Sequence, residues 1–295
     1  MRPRSKRWRG GKTSIPDLGM NRRAAVLGLA SAALTSPARA AQPLELAGRY
    51  EQGGYAIGRT TPGAGIFLDG QAVGAASEAG YFIIGFDRDA GPRSVLRVTG
   101  PRGETVNTLE IARGDFDIQR INGLGSPYQG KASPELEARI AGETARKQAA
   151  FASLSPRDDF RSGFSSPLVS FRVSALFGGQ RIVNGLARPP HYGIDLAAPT
   201  GTPVHAPAGG VVQLAETGML YEGGLIMIDH GQGLVAAYLH LSGVDVLRGQ
   251  VITRGQRIGA VGATGRATGP HLCWRLKWRR HNMNPMLLVG GPRPA

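Results

Sequence analysis

The sequence predicts a mostly β protein, with a β-sandwich-like N-terminal region, one connecting helix and a second, antiparallel β region. Three observations predict it. Short apolar runs recur between Gly, Pro and Asp turns, which is the rhythm of small strands. The 295 residues include 44 Gly and 20 Pro, and 41% are hydrophobic, so the chain is rich in turns and still able to fill cores. Helix start signals stand together at one place, between the two β regions.

Residues 1–40 read as an export signal. They contain an Arg pair, Arg22 and Arg23, a short apolar run from Ala24 to Ser36, and Ala38-Arg39-Ala40 as an A-x-A cleavage site. The run is too short for a comfortable membrane span. The paired arginines suit either the Tat or the Sec route. This segment holds nine of the 35 Lys/Arg and one of the 21 acidic residues, so it carries +8 of the formal +14. The remaining +6 is mild, and no aromatic-basic stripe appears beyond the cluster at Arg275 to Arg280. A nucleic-acid partner is therefore not expected, nor a membrane span after cleavage. An exported chain with one cysteine, Cys273, has no disulfide framework. The thiol is free, pairs with another molecule, or binds a metal.

Residues 41–125 form the predicted accessory β region. GIFLDG from Gly65, YFIIGF from Tyr81, SVLRVTG from Ser94 and TVNTLEIA from Thr105 are its clearest strands. The region has no His and no Cys, and its charged Asp87-Arg88-Asp89 reads as a solvated turn. Residues 126–163 form the linker. In SPELEARIAGETARKQAAFAS, Ser133 can cap a helix, Pro134 suits its first position, and Glu135 and Glu137 favour the positive end of the dipole. Leu136 and Ile140 share a face.

Residues 164–295 form the second β region, expected to fold separately from the first. Its strands include GVVQLA from Gly210, LIMIDHG from Leu225, LVAAYLHLS from Leu234 and RIGAVG from Arg257. GPHLCWRLKW, from Gly269, is the most informative. Alternation puts His271, Cys273, Arg275 and Lys277 on one face and Leu272, Trp274, Leu276 and Trp278 on the other. The second set belongs in a core, and the first faces a cleft.

All six histidines lie between His191 and His281. HYGID places His191 four residues before Asp195, but Gly193 and the following LAAPTGTPV argue for a loop or bent strand over a helix. His240 ends a strand in YLHLS. His271 and Cys273 share one strand face, and TGRATGPH supplies a cleft-rim turn just before them. A catalytic zinc needs three ligands from His, Asp/Glu and Cys, with further groups to move protons and hold an oxyanion. His191, Asp195, His240, His271 and Cys273 fit that requirement. His205 and His230 read as turn hydrogen-bonders and His281 as a surface-loop residue. Trp274 and Trp278 read as core.

FGGQRIVNG from Phe177, PHYGIDLAAPTGTPVHAPAGGVV from Pro190, IDHGQGL from Ile228, YLHLS from Tyr238 and GATGRATGPHL from Gly262 resemble the lysostaphin/LytM-type zinc endopeptidases, metallopeptidase family twenty-three. The likeness runs from about Phe164 to Val289. It implies an antiparallel β-groove holding one Zn²⁺ per chain and cleaving peptide bonds in peptidoglycan. Position by position it implies His191 and Asp195 as metal ligands, and His240 and His271 as non-ligand catalytic histidines. The family's H-x-H motif is H-x-C here, so Cys273 stands where the third ligand projects. Arg181 and Asn184 lie in a matching segment and are candidates for the substrate groove. Tyr238, two residues before His240 on the same strand face, is another. The expected function is that of an exported zinc metalloendopeptidase of the periplasm or cell envelope. The alternative is a catalytically impaired relative that binds peptidoglycan or regulates a partner cell-wall hydrolase. N-terminal sequencing of exported material should return a chain starting near Ala41; a start at Met1 or Met20 would contradict cleavage.

Overall fold

A computed structural model describes residues 41–122 and 133–294. The predicted export signal and the predicted boundary at 125–126 lie outside the described residues. The described residues form one compact unit.

Its first part is built from β1 (Leu44–Arg49), β2 (Tyr55–Thr60), β3 (Gly65–Leu68), β4 (Gln71–Ala75), β5 (Tyr81–Gly85), β6 (Arg93–Gly100) and β7 (Gly103–Glu110). They pair as two antiparallel sheets, β1-β2-β5 and β4-β3-β6-β7. In β6 the side chains of Ser94, Leu96 and Val98 are buried while those between them are not, the alternation of a strand with one wet face. β8 (Ile118–Ile121) then leaves this region and pairs, in parallel, with a strand of the second.

Helix α1 (Pro134–Phe151) starts where the sequence predicts. The Ser133 side chain accepts from the Leu136 N–H, and Pro134 opens the first turn. The face begun by Leu136 and Ile140 continues through charged groups. Glu143 is buried and accepts from Arg139 Nε at 2.9 Å and from the Leu220 N–H at 2.9 Å. Lys147 contacts Glu222 at 2.5 Å, and Arg146 pairs with Glu216. The helix thus clamps the turn around residues 218–222 by ions, alongside the apolar cluster that joins its Ala150 to Met219.

The second part comprises β9 (Arg172–Ala175), β10 (Gln180–Val183), β11 (Leu186–Ala187), β12 (Ile194–Ala197), β13 (Pro203–His205), β14 (Gly210–Met219), β15 (Gly223–Asp229), β16 (Leu234–Leu241), β17 (Gly243–Val244), β18 (Val251–Ile252), β19 (Arg257–Ala260), β20 (His271–Trp278) and β21 (His281–Met283). An eight-stranded sheet runs β18-β14-β15-β16-β20-β12-β9, with β21 beside β20; β13-β19-β17 and β11-β10-β8 are smaller sheets. β10 and β11 turn through Asn184 and Gly185, both at positive φ (50° and 79°), the two-residue hairpin that Asn-Gly favours.

β20 bears out the alternation read from its sequence. Leu272, Trp274, Leu276 and Trp278 enter the large core, whereas Cys273 joins a second cluster with Val235, Ala237 and Leu239, against which Phe151 of α1 packs. The large core is continuous with that of the first part, through Tyr55, Ile84, Phe86, Trp278 and Met283. The two parts approach so closely at Gly85 that a side chain there would meet Met283 Sδ at 2.5 Å and Trp278 Cβ at 2.9 Å.

Three expectations are corrected. The Asp87–Asp89 turn is no solvated turn: Arg88 is 7% exposed and donates from Nε to the Gly178 carbonyl at 2.9 Å. His281 lies on β21, half-buried, with Nδ1 on the Gly85 carbonyl at 2.8 Å, and not in a surface loop. Tyr238 is fully buried and stacks on Trp274 in the core, and it does not line the site cavity. The clamp by α1 has a measurable consequence. Burial alone would raise the Glu143 carboxyl, but the bonds from Arg139 and Leu220 outweigh it and hold it below its ordinary value. That stabilisation is present at neutral pH and fades as the pH falls through the depressed value. Glu143→Ala should cost about 1–3 kcal/mol in thermal unfolding, with Glu143→Gln milder because it keeps an acceptor; equal stability of all three chains would show that the clamp contributes nothing.

Candidate metal site and cleft

The site is assembled by strand register. β12 and β20 are antiparallel with Asp195 directly opposite Cys273, so their side chains project from the same face as cross-strand neighbours. His191 sits in the loop before β12. Its backbone is held at both ends by the Gly178-Gly179 turn: Gly178 N–H donates to the His191 carbonyl and His191 N–H to the Gly179 carbonyl, each at 2.8 Å. Arg88 Nε donates to the Gly178 carbonyl of the same turn. Gly193 is required by space, for a Cβ there would lie 3.1 Å from Cys273 Sγ and 2.8 Å from Arg275 Cγ.

His240 arrives by an irregularity. Regular alternation along β16 would send it to the core beside Tyr238. The register with β15 shifts between Gly224 and Ile226, and His240 takes φ 65°. That bulge swings the imidazole to the side of Cys273. It explains why Tyr238 and His240 part company. The backbone is fixed by His240 N–H donating to the Glu222 carbonyl at 2.8 Å.

Three imidazoles are oriented alike. Nδ1 lies on a backbone carbonyl in each: His191 on Leu176 at 3.3 Å, His240 on Thr264 at 2.9 Å and His271 on Gly269 at 2.8 Å. With Nδ1 as the donor, each Nε2 is left with a lone pair for the cleft. His191 Nε2 is 3.2 Å from Asp195 Oδ1 and 3.5 Å from Cys273 Sγ. His271 Nε2 is 3.8 Å from the same Asp195 oxygen, and the His240 and His271 ring centres are 4.8 Å apart.

These residues fit a zinc-like cation. The ligand atoms of His191, Asp195 and Cys273 all lie within 4.8 Å of one another. Tetrahedral zinc, with Zn–N near 2.0–2.1 Å and Zn–S near 2.3 Å, would give N···O edges of about 3.4 Å and N···S edges of about 3.6 Å, close to the two separations found. Asp195 Oδ1 is buried and accepts no well-aligned hydrogen bond despite its imidazole neighbours. Burial alone would push the His191 imidazole down; the Asp195 carboxylate and the Cys273 sulfur outweigh it and raise it to about 10. Burial would likewise raise Asp195, but His191 and His271 hold it below the usual carboxylate range. The donor set therefore holds positive charge, a proton or a metal. His240 differs. Burial lowers it against the pull of the Thr264 carbonyl, and neighbouring His271 adds to the fall, so its ring is neutral at neutral pH.

The site opens into a cavity of about 450 Å³ lined by His191, Asp195, His240, His271 and Cys273 together with Tyr221, Glu222, Arg266 and Arg275. Of the sequence-predicted groove residues, Arg181 lines a neighbouring groove. Asn184 occupies the β10–β11 turn and donates its N–H to the Ile121 carbonyl. Trp274 and Trp278 are core as expected, and His230 is buried with Nδ1 on the Gly209 carbonyl at 2.6 Å. Sequence reasoning missed Tyr221, Glu222 and the role of Arg275. Arg275 was legible as a neighbour of Cys273 on the same strand face, while Glu222 reaches the cavity only through the β14–β15 turn and left no local mark.

Comparison with known proteins agrees with this geometry. Residues 189–285 match the family model of Peptidase family M23. Peptidoglycan DD-endopeptidase ShyA of Vibrio cholerae is 43% identical over 117 residues, 39% of this chain and 27% of that protein. DD-carboxypeptidase/endopeptidase Mpg of Neisseria meningitidis is 40% identical over 127 residues, 43% of this chain and 29% of that protein. The match thus spans under a third of either relative. A solved Pseudomonas aeruginosa protein assigned to peptidase M23 superposes with a TM-score of 0.62 at 29% identity, covering 82% of this chain and 95% of that one. The chain carries a peptidase family M23 domain.

Proposed function

We propose that this M23 domain is an exported zinc endopeptidase that cleaves peptide bonds in peptidoglycan stem peptides or cross-bridges, working in the periplasm or cell envelope. One observation carries the reading: three ligand atoms lie within 4.8 Å of one another, and two further imidazoles face the same cavity. The peptidoglycan endopeptidase names of the relatives support the substrate class. On this reading residues 164–295 are the peptidase unit and residues 41–125 an accessory β region that abuts it.

His191, Asp195 and Cys273 would hold the metal. When bound, zinc supplies Lewis acidity, lowering the pKa of a coordinated water and polarising an amide carbonyl. The chain's own groups handle the protons. His240, neutral and anchored through Nδ1 on the Thr264 carbonyl, takes up a proton at Nε2 and returns it to the leaving amine. His271, anchored on the Gly269 carbonyl, faces the same cavity and is placed to stabilise the negative oxygen that develops on the carbonyl. The wall holding Tyr221 and Glu222 is fixed by Lys147 of α1, and the Thr264 turn docks on Gly223-Gly224 through Thr264 Oγ1, which accepts from the Gly224 N–H at 2.9 Å. Cys273 adds a second anionic ligand beside Asp195, which lowers the Lewis acidity of the site. The native enzyme should therefore be slower than a His-His-Asp site, with its optimum at higher pH.

Zinc content and hydrolysis of isolated peptidoglycan, measured together on one set of variants, test the assignment. His240→Ala and His271→Ala should keep one zinc per chain and lose about 10²- to 10⁴-fold in rate. Cys273→Ser should lose zinc, and Cys273→His should keep it and hydrolyse as fast or faster. Loss of metal from His240→Ala or His271→Ala would mean a ligand has been mistaken for a proton carrier. Zinc retained by the native chain with no hydrolysis would favour the alternative of a binding or regulatory relative.

A further inference from the structure

We propose that a second groove, running out from the metal cavity, is a carboxylate-binding subsite that selects acidic peptides. The inference rests on the reading of this site as a peptide-binding cleft. A cavity of about 1090 Å³ abuts the metal cavity and shares His191, Arg266 and Arg275 with it. Arg181 and Arg188 line its far end, and Val173 and Leu176, exposed at 39% and 60%, give it an apolar surface.

The arginines carry the argument. Arg181 and Arg188 face each other across the β10–β11 hairpin, where the Arg188 N–H donates to the Arg181 carbonyl at 2.8 Å. None of the four guanidinium groups forms an ion pair among the described residues. Among the described residues Arg181 reaches only the neutral Gln119 amide at 3.4 Å, and the Arg266 guanidinium only the Tyr221 ring at 5.5 Å. Arg275 has its Nε buried without a hydrogen-bond partner. One carboxylate, Asp117, lines the groove, and it already accepts from Gln119 at 3.0 Å. Four arginines against one lining acid leave the groove net positive, with Asp195 and Glu222 in the adjoining cavity and Asp87 and Asp89 acting on Tyr192 of its wall. A buried guanidinium N–H without an acceptor is costly, and a bidentate carboxylate satisfies it best.

The groove's placement defines the ligand. It lies beside β9, the last strand of its sheet, and it meets the metal cavity at His191. A peptide lying across both would have its scissile bond at His240 and His271, with free carboxylates reaching Arg275 and Arg266 near the metal and Arg181 and Arg188 farther out. Small apolar side chains between the acids would contact Val173 and Leu176. Stem peptides of peptidoglycan in their free-acid form have this pattern; carboxamide forms lack the charge.

Fluorescence anisotropy with the chelator-treated full chain tests the groove without cleavage and without carboxylate–metal contacts. The probes are labelled L-Ala–γ-D-Glu–meso-diaminopimelate–D-Ala as the free acid and as its carboxamides. The free acid should bind about tenfold tighter or better, and its advantage should shrink as salt is raised. Arg181→Gln with Arg188→Gln, both exposed, should remove most of the advantage, and Lys at both positions should restore part of it. Equal affinity for the two probes, or an advantage untouched by the double substitution, overturns the proposal. Hydrolysis by the zinc-loaded chain is scored separately: no cleavage with the acid preference intact would remove the peptidase reading and leave the subsite standing.

Discussion

The functional geometry depends on the register between β12 and β20. Asp195 stands opposite Cys273, and Ala197 opposite His271. Because side chains alternate strictly along a strand, a slip of one residue would send Asp195 and Cys273 to opposite faces of the sheet. What prevents the slip is the other face of β20. Leu272, Trp274, Leu276 and Trp278 are all buried in the large core, and exposing even one indole would cost several kcal/mol, at roughly 1.5–3 kcal/mol for an ordinary large apolar side chain. The core thus sets the site indirectly: the tryptophans fix which residues are left to face the cleft.

Around that register the remaining groups are brought in by exceptions to regular structure. His240 departs from alternation through a bulge and a positive φ, a costly backbone state that persists because the Glu222 and Thr264 carbonyls hold its N–H and its ring. His191 lies off the sheet and is held by Gly178 and Gly179, with Arg88 of the first β part bound to the same turn. Helix α1 fixes the opposite wall through Lys147 and Glu222. Helix α1 and the first β part therefore each touch a support of the site, one behind Glu222 and one behind His191.

This division also explains what could be read from the sequence. Period-2 alternation made the two faces of β20 legible, and local capping chemistry made α1 legible from Ser133 onward. The placement of His191, Asp195, His240, His271 and Cys273 around one point was readable from motif resemblance, which carries long-range information that periodicity lacks. The failures are non-local. Tyr238 was placed beside His240 because a bulge leaves no mark in an apolar run. Arg88 read as a surface residue because its acceptor, the Gly178 carbonyl, lies 90 residues away. Glu222 and the arginines of the second groove are defined by what surrounds them in space, which no local pattern encodes.

Cys273 is the chemical peculiarity on which the account turns. It is 2% exposed, opposite a carboxylate and 3.5 Å from an imidazole nitrogen, a setting in which a thiolate serves better as a metal donor than as a core side chain. X-ray absorption at the zinc edge of the zinc-loaded full chain tests this most directly. The account predicts one sulfur scatterer at about 2.3 Å beside nitrogen and oxygen at about 2.0–2.1 Å. A shell of nitrogen and oxygen alone would contradict it, since the metal would then be bound without Cys273.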